Sequence, residues 1–261
     1  MTRRDGRAAD ELRPVEIVPG WQKQAEGSVL YRAGGTRVLC TVSVDEGVRD
    51  FLKGKGKGWV TAEYVMHPRA GGRRQSRDGY NGRSLSGRSH EIARLVGRSL
   101  RAAVDTRALG ERTLNVDCDV IEADGGTRTA SVTGAMVALV LALDAMQRRG
   151  QLRAPPLVAT VAAVSAGIVD ESAMLDLAYE EDRDARMDLN LVATGGVNPS
   201  IVELQATAEG AAVPRSEVDG LVNLALAGIA RLAEAQARAL AGAGVDVGAL
   251  TAKLPAPRPT L

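Results

Sequence analysis

Apolar and polar residues alternate along much of the first half of the chain, as they do in half-buried β-strands. The clearest example runs from 113 to 121, where Leu114, Val116, Cys118 and Val120 alternate with polar residues. The same pattern predicts further strands at Trp59–Met66 and at 28–32 and 36–44, which flank the hairpin signal Gly34-Gly35.

Two segments of the first half have the pattern of helices. From Ser89 to Val104 the apolar residues recur every three or four positions, which places Arg94, Arg98 and Arg101 on another face. Ser89 is the expected N-cap of this helix. From Thr127 to Met146 the chain is rich in Ala, Leu and Val, which predicts a buried helix.

The second half repeats this plan after a connector at 153–156. Strands are predicted at 157–169 and 201–208 and, around a charged turn, at 174–179 and 187–193. A helix follows to about residue 241, and Ser216 and Asp219 have the spacing of a capping box at its start.

Strands followed by a long helix, twice over, predict an α+β fold of two related βα halves packed as one unit. We expect these halves to span residues 1–150 and 151–242. The segment 243–261 carries three prolines and little periodicity, so we expect a mobile tail there.

The chain has 261 residues, of which 45% are hydrophobic and 25% are charged, enough for a full globular core. The charged N-terminus is not a secretory signal, and Asp144 interrupts the longest apolar run, so no bilayer span is expected. Cys40 and Cys118 fall inside predicted strands and are expected to be reduced. These features predict a cytoplasmic protein with no membrane partner.

The net charge is +1, but basic residues concentrate between 53 and 101 and acidic residues around 180–188. A basic field facing an acidic cluster suits a polyanion held near a metal or a proton donor. The alternative is a solvated charged surface. Aromatic residues make up only 3%, which argues against base stacking as the main contact with nucleic acid.

The segment Gly125-Gly126-Thr127-Arg128 joins the clearest strand to the apolar helix. The two glycines let the backbone approach a ligand closely, and the start of a helix offers N–H groups to an anion. Together with a hydroxyl and a guanidinium, this composition predicts a phosphate site. An ordinary strand–turn–helix junction is the alternative, and the glycine spacing fits neither a Walker loop nor a dinucleotide fingerprint.

Two further places carry candidate chemistry. Arg88 lies beside the expected start of the first helix. The positive end of that helix's dipole would add to the positive charge of Arg88. Asp182 and Asp188 lie across a predicted hairpin, where they could hold Mg²⁺ with substrate phosphates or protonate a leaving oxygen. A solvated acidic turn is the alternative. With two histidines and two cysteines, the chain cannot form a multi-histidine metal centre or the usual structural zinc cluster.

Several motifs occur here in the order in which they occur in the bacterial ribonuclease PH family of phosphorolytic exoribonucleases, which the chain resembles over nearly its whole length. The matching blocks are Arg3-x-Asp5-Gly6-Arg7, Glu11-Leu12-Arg13-Pro14-Val15, Gly58-Trp59-Val60-Thr61-Ala62-Glu63-Tyr64, Ser86-Gly87-Arg88, Ala123-Asp124-Gly125-Gly126-Thr127-Arg128-Thr129-Ala130, Leu175-Asp176-Leu177, Glu181-Asp182 and Met187-Asp188-Leu189-Asn190.

The resemblance implies a βα repeat related to domain 2 of ribosomal protein S5, assembled as a homohexameric ring, a trimer of dimers. It implies trimming of extra nucleotides from the 3′ ends of tRNA precursors, and possibly of rRNA, with inorganic phosphate as co-substrate, Mg²⁺ as activator and nucleoside diphosphates as products. It implies phosphate ligands at Arg88, Gly126, Thr127 and Arg128. The implied catalytic and metal-binding carboxylates are Asp182 and Asp188.

The basic residues expected to contact RNA are Arg69, Arg73, Arg74, Arg77, Arg94 and Arg98. A second hypothesis is a non-catalytic RNA-binding ring subunit of an exosome-like assembly. Such a subunit would be expected to lose the phosphate arginines or the carboxylates, and here all are present. A small-molecule kinase of related fold would need a nucleotide-binding glycine loop that is not found in the sequence.

Overall fold

The computed structural model describes residues 3–79, 84–196 and 198–252. A five-stranded sheet comes first and has the strand order β1-β2-β3-β5-β4. Its strands are β1 (Val15–Pro19), β2 (Gly27–Ala33), β3 (Thr36–Glu46), β4 (Trp59–Met66) and β5 (Arg112–Glu122). All neighbours are antiparallel except β4 and β5, which are parallel. The helices of this half are α1 (Gly87–Ala102) and α2 (Thr127–Arg148).

The second sheet has four strands in the order β7-β6-β8-β9, all antiparallel. Its strands are β6 (Val161–Val169), β7 (Ser172–Leu175), β8 (Met187–Thr194) and β9 (Ile201–Ala208). The helices of this half are α3 (Tyr179–Asp184), α4 (Arg215–Gly242) and α5 (Val247–Leu250). The predicted α+β class, with strands and a long helix in each half, is confirmed.

Helix α2 lies between the two sheets, against β2 and β3 on one side and β6 on the other. Gly27 allows this close approach, because a Cβ at that position would lie 2.0 Å from the Ala138 carbonyl oxygen. By length and composition α2 could cross a membrane, but 83% of its most apolar window is buried inside the fold. A core helix passes the same test, so the finding is weak evidence for a membrane span.

Several sequence expectations were wrong in detail. Helix α1 begins at Gly87, and its N-cap is Ser86 rather than Ser89; the Ser86 side chain accepts a hydrogen bond from the Ser89 N–H. Helix α4 starts after Pro214 without a side-chain cap, so Ser216 and Asp219 form no capping box. Strand β1 was not predicted, because it is short and only partly buried.

The predicted hairpin that carries Asp182 and Asp188 was also wrong. Residues 179–184 form α3 instead of a turn, and β7 and β8 both pair with β6 rather than with each other. The acidic side chains near the start of α3 favour this helix, since carboxylates stabilise the positive end of a helix dipole.

The tail that was expected to be mobile is packed on the core as far as Thr251. Leu250 is buried in α5, and Thr251 forms a bridge with Leu157, the residue that also pairs with Val104. Residues 253–261 lie outside the described part of the chain. The division of the chain at residue 150 stays a prediction.

Candidate active site

The turn between β5 and α2 has the backbone geometry that only glycine adopts easily. Gly125 and Gly126 have φ values of +77° and +62°, and Gly126 is the N-cap of α2. A Cβ at Gly125 would lie 2.6 Å from the Leu177 carbonyl oxygen and 2.7 Å from the Tyr179 nitrogen. The turn therefore packs directly on the segment that leads into α3.

The hydroxyl of Thr127 lies at the first position of α2, where helix N–H groups have no intrahelical partner. Its Oγ1 is 2.8 Å from the hydroxyl of Tyr64, a fully buried residue of β4. Burial raises the pKa of Tyr64, and the Thr127 hydrogen bond and nearby arginine charges offset this only in part. Tyr64 therefore stays protonated, and when it donates to Thr127, the Thr127 hydroxyl keeps its own proton for another acceptor.

Arg128, on α2, links the second sheet to α1. Its Nη1 donates to Gln205 Oε1 of β9 at 2.9 Å and lies 3.5 Å from Glu91 Oε1 of α1. The side chain is 22% exposed, so the guanidinium reaches solvent while its direction is set by these partners. Arg88 is exposed in the first turn of α1, on the same side of the fold.

The two carboxylates lie close to these cations. Asp188 is on β8, between Gly167 of β6 and Thr207 of β9, and Asn190 donates to its Oδ2 at 3.5 Å. Burial raises the pKa of Asp188; the charge of Asp182 raises it further, and that of Arg128 lowers it.

Asp182 is on the exposed surface of α3. The surrounding protein displaces water from its carboxyl and so raises its pKa, while the charges of Arg128 and Arg88 oppose that change. Arg128 is therefore within electrostatic reach of both carboxylates, and Arg88 is within reach of Asp182. Both arginines also act on Tyr64, the hydrogen-bond partner of the Thr127 hydroxyl. This juxtaposition can bind an anion and can supply a proton or a metal ligand beside it.

A buried arginine supports this arrangement, and sequence reasoning gave it no role. Arg13 forms a two-pronged pair with Asp176, with Nη2 to Oδ1 at 2.6 Å and Nε to Oδ2 at 3.0 Å. Its Nη1 donates to the Asp124 carbonyl oxygen at 2.5 Å. Thr36 completes the turn by donating to the Gly125 carbonyl oxygen at 2.7 Å.

Two more arginines from the N-terminal segment hold α3 in place. Arg3 forms a two-pronged pair with Glu181 at 2.5 and 2.7 Å and donates to the Leu175 carbonyl oxygen at 2.8 Å. Arg7 donates to the Asp176 carbonyl oxygen at 3.1 Å. All three arginines are at least 93% buried. The only sequence signal for them was their presence in the blocks shared with the resembled family.

The residues expected to contact RNA are spread more widely. Those of the loop after β4 are exposed, and Arg69 donates to the carbonyl oxygens of Gly71 and Gly72. Arg98 on α1 is paired with Glu203 at 3.1 Å, and Arg94 is exposed one turn earlier. An RNA contact at these positions stays a prediction. The exposed loop residues are Arg69, Arg73, Arg74 and Arg77.

The composition of the site fits a magnesium ion that is shared between protein and substrate, because Mg²⁺ is commonly held by one or two carboxylates together with substrate phosphates. Asp182 and Asp188 supply two such carboxylates. Among the residues that the structure describes, no group of three or more His, Cys, Asp or Glu side chains is placed to hold a metal.

Comparisons with known proteins agree with the resemblance. Family models of the 3′ exoribonuclease family match the chain, domain 1 at residues 11–143 and domain 2 at residues 159–228. The chain is 54% identical over 242 residues to ribonuclease PH of Frankia casuarinae, covering 93% of this chain and 95% of that protein.

Two solved structures share the fold. Rice (Oryza sativa) Rrp46 aligns with a TM-score of 0.74 at 19% identity, over 92% of this chain and all of that one. A chain of the Archaeoglobus fulgidus exosome aligns with a TM-score of 0.70 at 24% identity, over 89% of this chain and 91% of that one. At these identities the structures show the fold alone, and they confirm the predicted two-half architecture.

We expect Arg13→Ala to lower the free energy of unfolding by about 3–5 kcal/mol, because it leaves the Asp176 carboxylate buried without its partner. Arg4→Ala is the matched control: its pair with Glu180 is exposed, and such pairs contribute only about 0–1 kcal/mol. Urea unfolding followed by circular dichroism measures both. Equal losses in the two variants would contradict the role of Arg13.

The pKa of Asp188 should respond in opposite directions to two neighbours. Asp182→Asn removes a negative charge, so Asp188 loses its proton more easily and its pKa falls. Arg128→Ala removes a positive charge, so the pKa of Asp188 rises. Carbon-detected NMR titration of the aspartate carboxyls measures both. A shift of the same sign in both variants would mean that these charges do not set the titration of Asp188.

Proposed function

Because the chain belongs to the 3′ exoribonuclease family and is a phosphorolytic 3′-to-5′ exoribonuclease, we propose that its substrates are the 3′ ends of tRNA precursors, with inorganic phosphate bound between α1 and α2. The observation that carries this proposal is the convergence of Arg88, Thr127 and Arg128 on the side of the fold where Asp182 and Asp188 lie.

Phosphate binding comes first. Arg88 and Arg128 neutralise the phosphate, which would otherwise repel the phosphodiester that it attacks. The N–H groups at the start of α2 and the Thr127 hydroxyl orient it. Arg128 has five N–H donors, so it can bind phosphate without leaving Gln205. The weaker contact with Glu91, at 3.5 Å, is the one that phosphate replaces.

In the reaction, a phosphate oxygen forms a bond to the phosphorus of the last linkage. The bond from that phosphorus to the 3′ oxygen of the preceding nucleotide breaks. The products are a nucleoside diphosphate and an RNA shortened by one residue, whose 3′ oxygen takes up a proton. Positioning and charge stabilisation supply most of the catalysis in such transfers.

Asp188 or Asp182 stabilises the leaving oxygen in one of two ways. The raised pKa values of both residues favour proton donation, since a carboxyl that holds its proton more tightly is a better general acid near neutral pH. Alternatively, the two carboxylates hold Mg²⁺, which when bound neutralises charge on the reacting phosphates. In either case Arg128 moderates the negative charge of the pair.

We also propose that the protein acts in the cytoplasm as a homohexameric ring, a trimer of dimers. The exposed arginines of residues 69–77 then line an RNA path together with those of neighbouring subunits. Support comes from the basic, exposed character of this loop and from its fold relative, a chain of an archaeal exosome described as having RNA bound to the active site.

Incubation with a tRNA that carries extra 3′ residues, with and without phosphate, tests the substrate and the chemistry together. Nucleoside diphosphates formed only with phosphate, and a halt at the mature end, support the proposal. Nucleoside monophosphates would indicate hydrolysis. Equal degradation of unstructured RNA and precursor tRNA would remove tRNA as the preferred substrate.

Arg128→Ala should reduce phosphorolysis by about 10²–10³-fold, the typical loss when one group that stabilises developing charge is removed. The loss should appear as a lower kcat together with a higher KM for phosphate, at unchanged KM for RNA. Arg215→Ala, which removes a 92% exposed arginine on α4, is the control and should behave as the wild type. Unchanged phosphate saturation in Arg128→Ala would exclude Arg128 as a ligand.

Asp188→Asn should abolish turnover while leaving RNA affinity within about twofold, since one neutral isostere removes little net charge from an RNA surface. Gel-shift titration beside the phosphorolysis assay separates the two effects. Asp219→Asn, on the exposed face of α4, provides the control for loss of a carboxylate. Retained turnover in Asp188→Asn would assign the chemistry to Asp182 alone.

A further inference from the structure

One loop departs from the composition of the rest of the chain. Of the 33 basic residues only five are lysines, and three of those alternate with glycines as Lys53, Lys55 and Lys57. The only phenylalanine, Phe51, lies just before them. We call residues 50–58 the lysine loop. The proposed phosphorolysis steps use none of its residues.

Phe51, the aromatic residue of the lysine loop, packs on a tryptophan that has a further contact of its own. Phe51 is in a short 3₁₀ turn, Asp50–Leu52, in which Leu52 is buried and Phe51 is 54% exposed. Its ring meets that of Trp59 edge-on, with centroids 5.6 Å apart. Arg101, at the end of α1, stacks on Trp59 at 4.5 Å and donates to the Val60 carbonyl oxygen at 2.7 Å.

The basic part of the loop is tethered; Lys53 and Lys55 are exposed, and Lys57 is half-buried. Gly54 and Gly56 have positive φ values of +75° and +61°, and the Gly56 N–H donates to the Glu111 carboxylate at 3.0 Å. Lys53 is 68% exposed and pairs with Asp50 at 2.7 Å. A pair this exposed is worth little, so Lys53 can exchange Asp50 for a phosphate.

Three acidic residues lie near the loop, and within the described residues only Glu46 among them has a cationic partner. Glu111 accepts from Gly56, Glu46 is paired with Arg112 at 2.9 Å, and Asp105 accepts from the Arg107 N–H at 2.9 Å. The lysine loop itself carries three lysines against one carboxylate, Asp50, and so projects net positive charge beside an exposed ring. That combination suits a nucleic acid strand, whose phosphates attract lysine and whose bases stack on aromatic rings.

We propose that the lysine loop is a second RNA-binding site, which holds the body of the substrate upstream of the 3′ end. Lys53, Lys55 and Lys57 contact backbone phosphates, and Phe51 stacks on an unpaired or terminal base. Lysine suits this task because it attracts phosphate as a point charge without a fixed geometry. The proposal rests on the RNA substrate of the proposed function.

The two sites lie at opposite ends of the same elements. Arg88 and Arg101 are thirteen residues apart on α1, or about 20 Å at the rise of an α-helix. On β4, Trp59 directly follows the lysine loop, and the Tyr64 hydroxyl lies within hydrogen-bond distance of the Thr127 hydroxyl. A stacked strand advances about 3.4 Å per nucleotide, so roughly six nucleotides are needed to span the distance. A trinucleotide occupies the catalytic site without reaching the loop.

The test compares a precursor tRNA with a trinucleotide as substrates of the full-length enzyme. A variant with all three lysines changed to Ala should raise the KM for precursor tRNA about tenfold and leave both kcat and the KM for the trinucleotide unchanged. The salt dependence of tRNA binding should fall by about 2 in log–log slope, since each phosphate contact contributes roughly 0.7–0.9. Phe51→Ala should weaken tRNA binding at least about fivefold.

Two conservative variants serve as controls. Changing the three lysines to Arg keeps the charge, and Phe51→Tyr keeps the ring, so both should retain wild-type KM values. Equal losses on both substrates, or unchanged tRNA affinity and salt slope, would overturn the proposal. So would a changed oligomeric state in analytical ultracentrifugation, because the loop would then pack against a second copy of the chain. tRNA binding measured without phosphate keeps this test independent of the phosphorolysis assay.

Discussion

The geometry of the active site depends on one buried guanidinium. Arg13 holds the Asp124 carbonyl oxygen with one nitrogen and the Asp176 carboxylate with two others. It thereby joins the glycine turn that starts α2 to the segment that carries Asp182 into α3. Burial of such a pair is a poor source of stability compared with apolar packing. The geometry of the pair instead fixes the position of the glycine turn, and with it the candidate anion site, relative to Asp182.

Opposite charges in the site limit each other. Without Arg128 and Arg88, the carboxyls of Asp182 and Asp188 would hold their protons more firmly. Without the two carboxylates, the arginines could bind an anion, but no proton donor or metal ligand would lie beside it. The hydrogen bond from Arg128 to Gln205 adds a directional contact, because it joins the second sheet to a candidate site whose proposed phosphate ligands all come from the first half. The first half of the fold thus supplies the two arginines, and the second half supplies Gln205 and the two carboxylates.

The sequence predicted the strands and long helices well, since strand alternation and the apolar run of α2 reflect burial directly. Its errors have physical causes. Asp182 was assigned to a turn because α3 has only six residues and none of them is buried. Arg3, Arg7 and Arg13 were given no structural role, because burial of arginine requires partners, and theirs, Asp176 and Glu181, lie far away in sequence. The motif at 125–128 was found because the positive φ values of its two glycines leave a signal in the local sequence.

The position of α2 between the two sheets has a consequence during synthesis. Helix α2 packs on β6, and the hydrogen-bond partner of Arg128 is on β9, so the two contacts are both present only after residues 201–208 have been synthesised. Domains generally fold as units while they emerge, but here Arg128 of α2 meets Gln205 only after the strands of the second half have been made. A chain that has not yet added β9 to the second sheet therefore lacks the hydrogen bond that directs the Arg128 guanidinium.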